Sequence, residues 1–458
     1  MPEIIVSVSG IRGIIGETLT PENIIKYTSA FAEYCRRKNI TKRIIVGRDG
    51  RLHGDIISNL VTSTLTMNGF QVINIGIVPT PTVQIATEET RSAGGISITA
   101  SHNPQIWNGL KFLNPNGTFL DKKQVEQLIK IAKQGDFRYE IERRIRTVTE
   151  DNTWLKKHID LVLSQRTINL RKIRERNFKI IVDCVNSSGS IIVPMLLRRL
   201  GCRITEIFCN GSGIFPHTPE PIPENLTELS KAVVNKNADL GIAVDPDSDR
   251  LVIITEKGEP FSEENTIVTV VRNILKNIKG KNKNVTVNLS TTRAVENNAK
   301  MFYGKVFRSP VGEINVVKEM IRNGSVIGGE GSGGVIYPKV HYGRDAIVGI
   351  ALVLQEFASF DGEVSEYKKM ISNLYISKAK INNVPNANSV LNSIIKKYQN
   401  KDCRINTKDG VKLDFEKYWI HIRKSNTEPI LRIITEAEGK SVTEKIQNEF
   451  IKEVRKMI

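Results

Sequence analysis

Leu240-Gly241-Ile242-Ala243-Val244-Asp245-Pro246-Asp247-Ser248-Asp249-Arg250-Leu251-Val252-Ile253-Ile254-Thr255 is a pair of apolar runs around a polar loop. Both flanks are short, continuous and rich in β-branched residues, which predicts strands. The loop carries carboxylates at alternating positions, so all three can turn toward one point. Like charges so close repel one another unless a cation lies among them. A set of hard oxygens that leaves positions open for a phosphate oxygen suits Mg²⁺. A calcium EF-hand is one rival, because Asp245, Asp247, Asp249 and Glu256 match its acidic positions. It fails because Arg250 stands where the sharp turn needs glycine and the flanks read as strands. A solvated acidic turn is the other alternative.

Working outward, Ile44–Asp49, Ile180–Gly189 and Val285–Thr292 share one plan: an apolar strand, a polar loop, then a helix. Such alternation marks βα units and mainly parallel sheets, and open sheets of this kind bind ligands beyond the carboxyl ends of their strands. With 458 residues, about 150 per domain allows three or four domains. Breaks in the pattern divide the chain into 1–148, 149–254, 255–372 and 373–458. The last segment differs: a helix near Asn388–Tyr398, close-set strands at 404–406, 411–415, 419–423 and 430–435, and a terminal helix from Ser441 predict an α+β module with antiparallel neighbours.

Lys and Arg number 66 against 49 Asp and Glu, a net charge of +17. This excess favours an anionic partner, either nucleic acid or a phosphorylated small molecule. A nucleic-acid binder calls for a basic stripe with stacking aromatics. Aromatics are only 6%, and even the densest basic stretch, 136–179, is interleaved with acids, so no nucleic-acid partner is expected. Cys35, Cys184, Cys202, Cys209 and Cys403 form no C-x-x-C pair, which predicts a reducing compartment. The N-terminus lacks a signal-peptide pattern, and the apolar run Ile347–Leu354 is too short to span a bilayer. A soluble cytoplasmic protein without a membrane partner is expected.

Four further segments carry chemistry. Thr99-Ala100-Ser101-His102-Asn103-Pro104 ends a small-residue strand, and Pro104 forces a turn that presents Ser101 and His102. Alone it is a weak nucleophile or an ordinary turn. Gly328-Gly329-Glu330-Gly331-Ser332-Gly333-Gly334 offers one carboxylate and one hydroxyl among glycines that permit close approach; a lone Glu there can accept a pair of sugar hydroxyls, or the segment is a flexible turn. Arg423-Lys424-Ser425-Asn426-Thr427-Glu428-Pro429, with Arg432 beyond it, supplies donors suited to a phosphate dianion, or a polar hairpin. Arg12 and Lys111 add cations in glycine-containing loops, consistent with phosphate contact, proton transfer or plain surface charge.

Taken together and in this order, these loops closely resemble the α-D-phosphohexomutase family over essentially the whole chain. The resemblance implies three similar mixed-sheet α/β domains and a C-terminal α+β domain around a central cleft. It implies Ser101 as the phosphorylated residue, and Asp245, Asp247, Asp249 and a phosphoserine oxygen as the holders of Mg²⁺. Arg12, Lys111 and His102 would serve phosphoryl and proton transfer. Arg250, Glu330, Ser332, Arg423, Ser425, Asn426, Thr427 and Arg432 would bind the substrate, a phosphosugar, with glucose 1,6-bisphosphate or a related bisphosphosugar as activator. The implied reaction moves a phosphoryl group between the 1- and 6-positions of glucose or mannose phosphates, with glucosamine phosphates as the alternative. Two departures stand out. Gly334 follows Ser332-Gly333 where many bacterial members have histidine, and Glu313 follows Gly312 where a cation is common.

Overall fold

The computed structural model describes residues 4–38, 41–424 and 430–458. Its strands form four sheets. The first has seven strands in the order Ile5–Ser7, Gly10–Ile14, Trp107–Leu113, Gly94–Ile98, Arg43–Arg48, Gln71–Ile77 and Val148–Glu150. Its centre is parallel, and Trp107–Leu113 returns antiparallel beside Gly94–Ile98. Apolar residues on both faces explain why this sheet is covered twice. Ile44 and Val46 pack with Phe31, Val61 and Leu128 on one side. Ile45, pointing the other way, joins Val83 and Ile85 in a core that continues through Trp154, Ile180, Ile267 and Ile347.

The second sheet runs Leu251–Thr255, Leu240–Val244, Lys179–Asp183, Arg203–Ile207, and the third Lys305–Ser309, Asn284–Asn288, Ile327–Glu330, Gly334–Ile336. Each has a parallel centre and one antiparallel edge hairpin. The hairpin loops are the acidic loop and the glycine loop. Helix Ala346–Phe357 is buried on every side and starts at Asp345, whose Oδ1 accepts the Ile347 amide at 2.8 Å, a cap that satisfies an otherwise orphaned donor. Among the described residues no helix is long and apolar enough to cross a membrane.

The last sheet is wholly antiparallel, in the order Leu374–Ile381, Leu431–Glu438, Trp419–Lys424, Val411–Asp414, Arg404–Asn406. Ile394, Phe450 and Val454 of two helices cover its apolar face. The sequence pattern did not predict the strand Leu374–Ile381: it lies at the sheet edge, where only Ile381 is buried, so no apolar run announces it. Val148–Glu150 pairs with Gln71–Ile77, which carries the first sheet two residues past the boundary expected at 148. The second sheet likewise runs to Thr255, one residue past 254.

Candidate active site

Strand register places the first group of side chains. Ser97 lies opposite Lys111, and Arg12 lies opposite Gly109 on the far side of the same strand. Beyond Ile98 the Thr99 amide still bonds to the Gly109 carbonyl at 3.0 Å; the chain then turns through Ser101, which takes a left-handed φ of 53°. That conformation costs a non-glycine residue about 1–2 kcal/mol, so the loop needs external restraint. Arg51, which sequence reasoning missed, supplies it. Its buried guanidinium donates to the carbonyls of Ser101 and Asn103 at 2.6 Å, Pro104 at 2.8 Å and Trp107 at 3.0 Å, and to Asp49 at 3.1 Å. The cation lies 4.9 Å from the Phe215 ring centroid. Thr99 closes the loop, donating to Asp49 at 2.6 Å and accepting the Ser101 amide at 2.8 Å.

Against Ser101 stands the acidic loop. Ser101 Oγ is 3.2 Å from Asp245 Oδ2 and 3.2 Å from His102 Nδ1. Oxygens of Asp245, Asp247 and Asp249 lie within 4.8 Å of one another, all three residues buried. Asp245 Oδ1 accepts the amides of Asp249 and Arg250 at 3.0 and 3.1 Å. Asp247 Oδ2 accepts Lys111 Nζ and Thr80 Oγ1, each at 2.6 Å; Thr80 too was missed in the sequence. Asp247 Oδ1 and Asp249 Oδ1 are buried with no hydrogen-bond partner. Buried carboxylate oxygens without partners are costly, and a divalent cation is the partner that hard, converging oxygens fit. Burial followed by the charges of Asp249 and Asp247 pushes Asp245 well above the usual carboxylate range. Burial also works to raise Asp247, but the Lys111 ammonium holds it below that range.

Cations surround the triad. Arg12 Nη1 donates to Asn103 Oδ1 at 2.9 Å, Arg250 Nε lies 3.9 Å from Asp249, and Arg344 Nη2 donates to Asp249 Oδ2 at 2.7 Å. Burial, then the charges of Arg250, Arg12 and Arg344, drives His102 down to about 2. These surroundings favour the neutral imidazole, whose Nδ1 is within hydrogen-bonding distance of Ser101 Oγ.

Glu330 stands across the hairpin from Gly334. Its Oε1 accepts from Asn288 Nδ2 at 2.9 Å and the Gly312 amide at 3.0 Å, and its Oε2 from Arg344 Nη1 at 2.9 Å. A carboxylate has room for about four donors. Capacity for one sugar hydroxyl remains on Glu330 where the sequence suggested a pair. Ser332 is half-buried in the turn. The turn is seated on the second domain: Gly333, at φ +83°, accepts the Leu251 amide at 3.0 Å, and a Cβ there would lie 2.4 Å from the Leu251 carbonyl oxygen.

Arg423 stands on the last sheet and feels the charge of Glu330. It lines a cavity of about 810 Å³ with Lys122 and Lys123 of the first domain, Lys318 of the third, and Asp409 and Lys424 of the fourth. Arg432 is paired across from it in the sheet and is exposed. Ser425, Asn426 and Thr427 lie outside the described residues.

Four α/β and α+β units with a serine and three carboxylates between the first two, and cations from the first three around them, define an enzyme of the phosphoryl-transfer class. Comparison with known proteins agrees along the chain. Models described as "Phosphoglucomutase/phosphomannomutase" match as alpha/beta/alpha domain I over residues 3–139, domain II over 156–258, domain III over 263–375 and the C-terminal domain over 377–453. The chain is 33% identical over 432 residues, 94% of each chain, to the phosphoglucomutase/phosphomannomutase of Thermococcus kodakarensis. It is 33% identical over 454 residues, 98% of this chain and 97% of the relative, to a probable phosphoglucosamine mutase of Methanopyrus kandleri. A solved phosphoglucomutase/phosphomannomutase family structure from Burkholderia thailandensis superposes with a TM-score of 0.86 at 22% identity, covering 99% and 98% of the two chains. The protein belongs to the phosphoglucomutase/phosphomannomutase family of α-D-phosphohexomutases.

Proposed function

We propose that the protein interconverts hexose 1- and 6-phosphates through a phosphoserine at Ser101 and a bisphosphosugar intermediate, with glucose and mannose phosphates as the leading substrates. The observation that carries the reading is Ser101 Oγ at 3.2 Å from Asp245, at the edge of a carboxylate triad with unpartnered oxygens. Asp245, Asp247 and Asp249 would hold Mg²⁺, which when bound supplies charge neutralisation to the phosphoryl group.

The chain's own residues do the rest. Arg51 and Thr99 fix the loop so that Ser101 Oγ faces the cleft. Arg12, Lys111 and Arg250 place positive charge where the phosphoryl oxygens pass, which is catalysis by positioning and electrostatics. The Ser101 O–P bond breaks, a sugar O–P bond forms, and the hydroxyl proton is returned to Ser101 in the net exchange. Glu330 and Ser332 orient the sugar. Arg423, with Ser425, Asn426, Thr427 and Arg432, holds the phosphate that is not reacting. The intermediate then turns and its other phosphate returns to Ser101, so a bisphosphosugar such as glucose 1,6-bisphosphate acts as activator.

Intact mass before and after incubation with glucose 1,6-bisphosphate tests the reading: one phosphoryl group is gained by the wild type and none by Ser101→Ala, whose turnover falls at least about a thousandfold. Normal turnover by that variant would disprove the phosphoserine route. A second reading, glucosamine phosphate as substrate, is favoured by the name of the Methanopyrus kandleri relative; a panel of the three sugars as 1-phosphates separates the two. We place the domains at 1–150, 151–255, 256–372 and 373–458, following the sheets.

A further inference from the structure

Arg344 sits where three parts of the chain meet. Its Nη2 donates to Asp249 Oδ2 of the acidic loop at 2.7 Å, its Nη1 to Glu330 Oε2 of the glycine loop at 2.9 Å, and its Nε to Glu313 Oε2 at 3.1 Å. Glu313 is nearly buried and reaches Gln84 of the first domain at 3.3 Å. The three carboxylates thus come from separate segments, and one planar fork joins them; an ammonium, with a single nitrogen, cannot reach three such positions at once. Space for the side chain is built in. A Cβ at Gly334, directly across from Glu330, would lie 2.3 Å from Arg344 Cδ. Gly334 and Glu313, the two departures seen in the sequence, therefore both face this guanidinium.

We propose that Arg344 is a positioning residue that presets Glu330 for the sugar and competes with the cation for Asp249, holding the two loops in one register. The proposal rests on reading the cleft as a sugar-phosphate site. Losing Arg344 has opposite effects at the two carboxylates. Toward Glu330, Arg344 restrains the carboxylate so that its remaining acceptor position is preset, and losing it loosens the sugar contact. Toward Asp249, its positive charge opposes a second cation beside the same carboxylate, and losing it strengthens the hold on a divalent ion. A general loss of packing would weaken both.

The test compares wild type and Arg344→Gln by Mn²⁺ titration without sugar, and by KM for glucose 1-phosphate. The expected result is Mn²⁺ bound about 3–10-fold more tightly with KM raised at least about tenfold. Adding Arg344→Gln to Glu330→Gln should then change KM by less than about twofold, because Arg344 acts on the sugar through Glu330. Gly334→Ala, which displaces the guanidinium without removing its charge, should raise KM in the same direction and carries the sugar arm if Arg344→Gln does not fold. Unchanged KM in either variant, or Mn²⁺ affinity unchanged or weaker in Arg344→Gln, overturns the proposal. If the wild type turns over no hexose phosphate, the sugar-phosphate reading itself fails, and the sugar half of the proposal with it; the Mn²⁺ comparison still decides the metal half.

Discussion

Arg51→Met is the substitution that tests how the serine loop is built. Methionine keeps an apolar stem near Phe215 but removes the bond to Asp49 at 3.1 Å and the bonds to the carbonyls of Ser101, Asn103, Pro104 and Trp107. Asp49, 1% exposed, keeps only Thr99 and the residue-51 amide as donors. Removing one partner of a buried ion pair costs about 3–5 kcal/mol. At about 2–4 °C per kcal/mol for a domain of this size, the first domain should melt roughly 6–20 °C lower by calorimetry. The functional effect follows from geometry. Without Arg51 the left-handed turn at Ser101 loses its restraint, and a displacement of about 1 Å at the nucleophile costs on the order of a hundredfold in rate. Phosphorylation of Ser101 by glucose 1,6-bisphosphate, followed by intact mass, should slow by that order. A variant with wild-type melting and wild-type phosphorylation would refute the claim that Arg51 holds the loop.

Other expectations follow from single contacts. Asp247→Asn should abolish Mn²⁺ binding measured by titration, since it removes a charge from the triad; retained affinity would place the metal elsewhere. Gly333→Ala should destabilise the hairpin by about 1–3 kcal/mol, because the residue would need φ +83° with its Cβ against the Leu251 carbonyl; thermal melting reads this directly. Burial pushes Glu264 up to about 8. A raised folded pKa gives a contribution that is full below the unfolded value near 4.5 and is lost as pH rises through 8. Glu264→Gln should therefore be more stable than wild type by a few kcal/mol at pH 9, with the gain vanishing toward pH 4.5, as melting curves across that range will show.

The acidic loop was legible because its chemistry is local: alternating carboxylates between two apolar strands bring their own geometry. The serine and glycine loops were legible as turns, and their order along the chain suggested a common cleft. The strand Leu374–Ile381 was not, since an exposed edge needs no apolar run to form. The roles of Arg51, Thr80 and Arg344 were not legible for another reason. Each acts on residues far along the chain, Arg51 on the carbonyls of 101–107, Thr80 on Asp247 and Arg344 on Asp249, and an isolated arginine or threonine in a sequence looks like any surface residue.

What the sequence determined alone was most of the secondary elements, the division into three α/β units and one antiparallel unit, and a set of residues suited to hard-cation and phosphate chemistry. These follow from apolar periodicity and from residue types at short spacing. Tertiary structure decided which charges meet. It set Lys111 against Asp247, left two oxygens of the acidic triad without partners, took three of the positions on Glu330, and packed Arg344 among three acids. The physical reason is that charge pairing in a cleft depends on distances between domains, and those distances arise only when separate sheets pack.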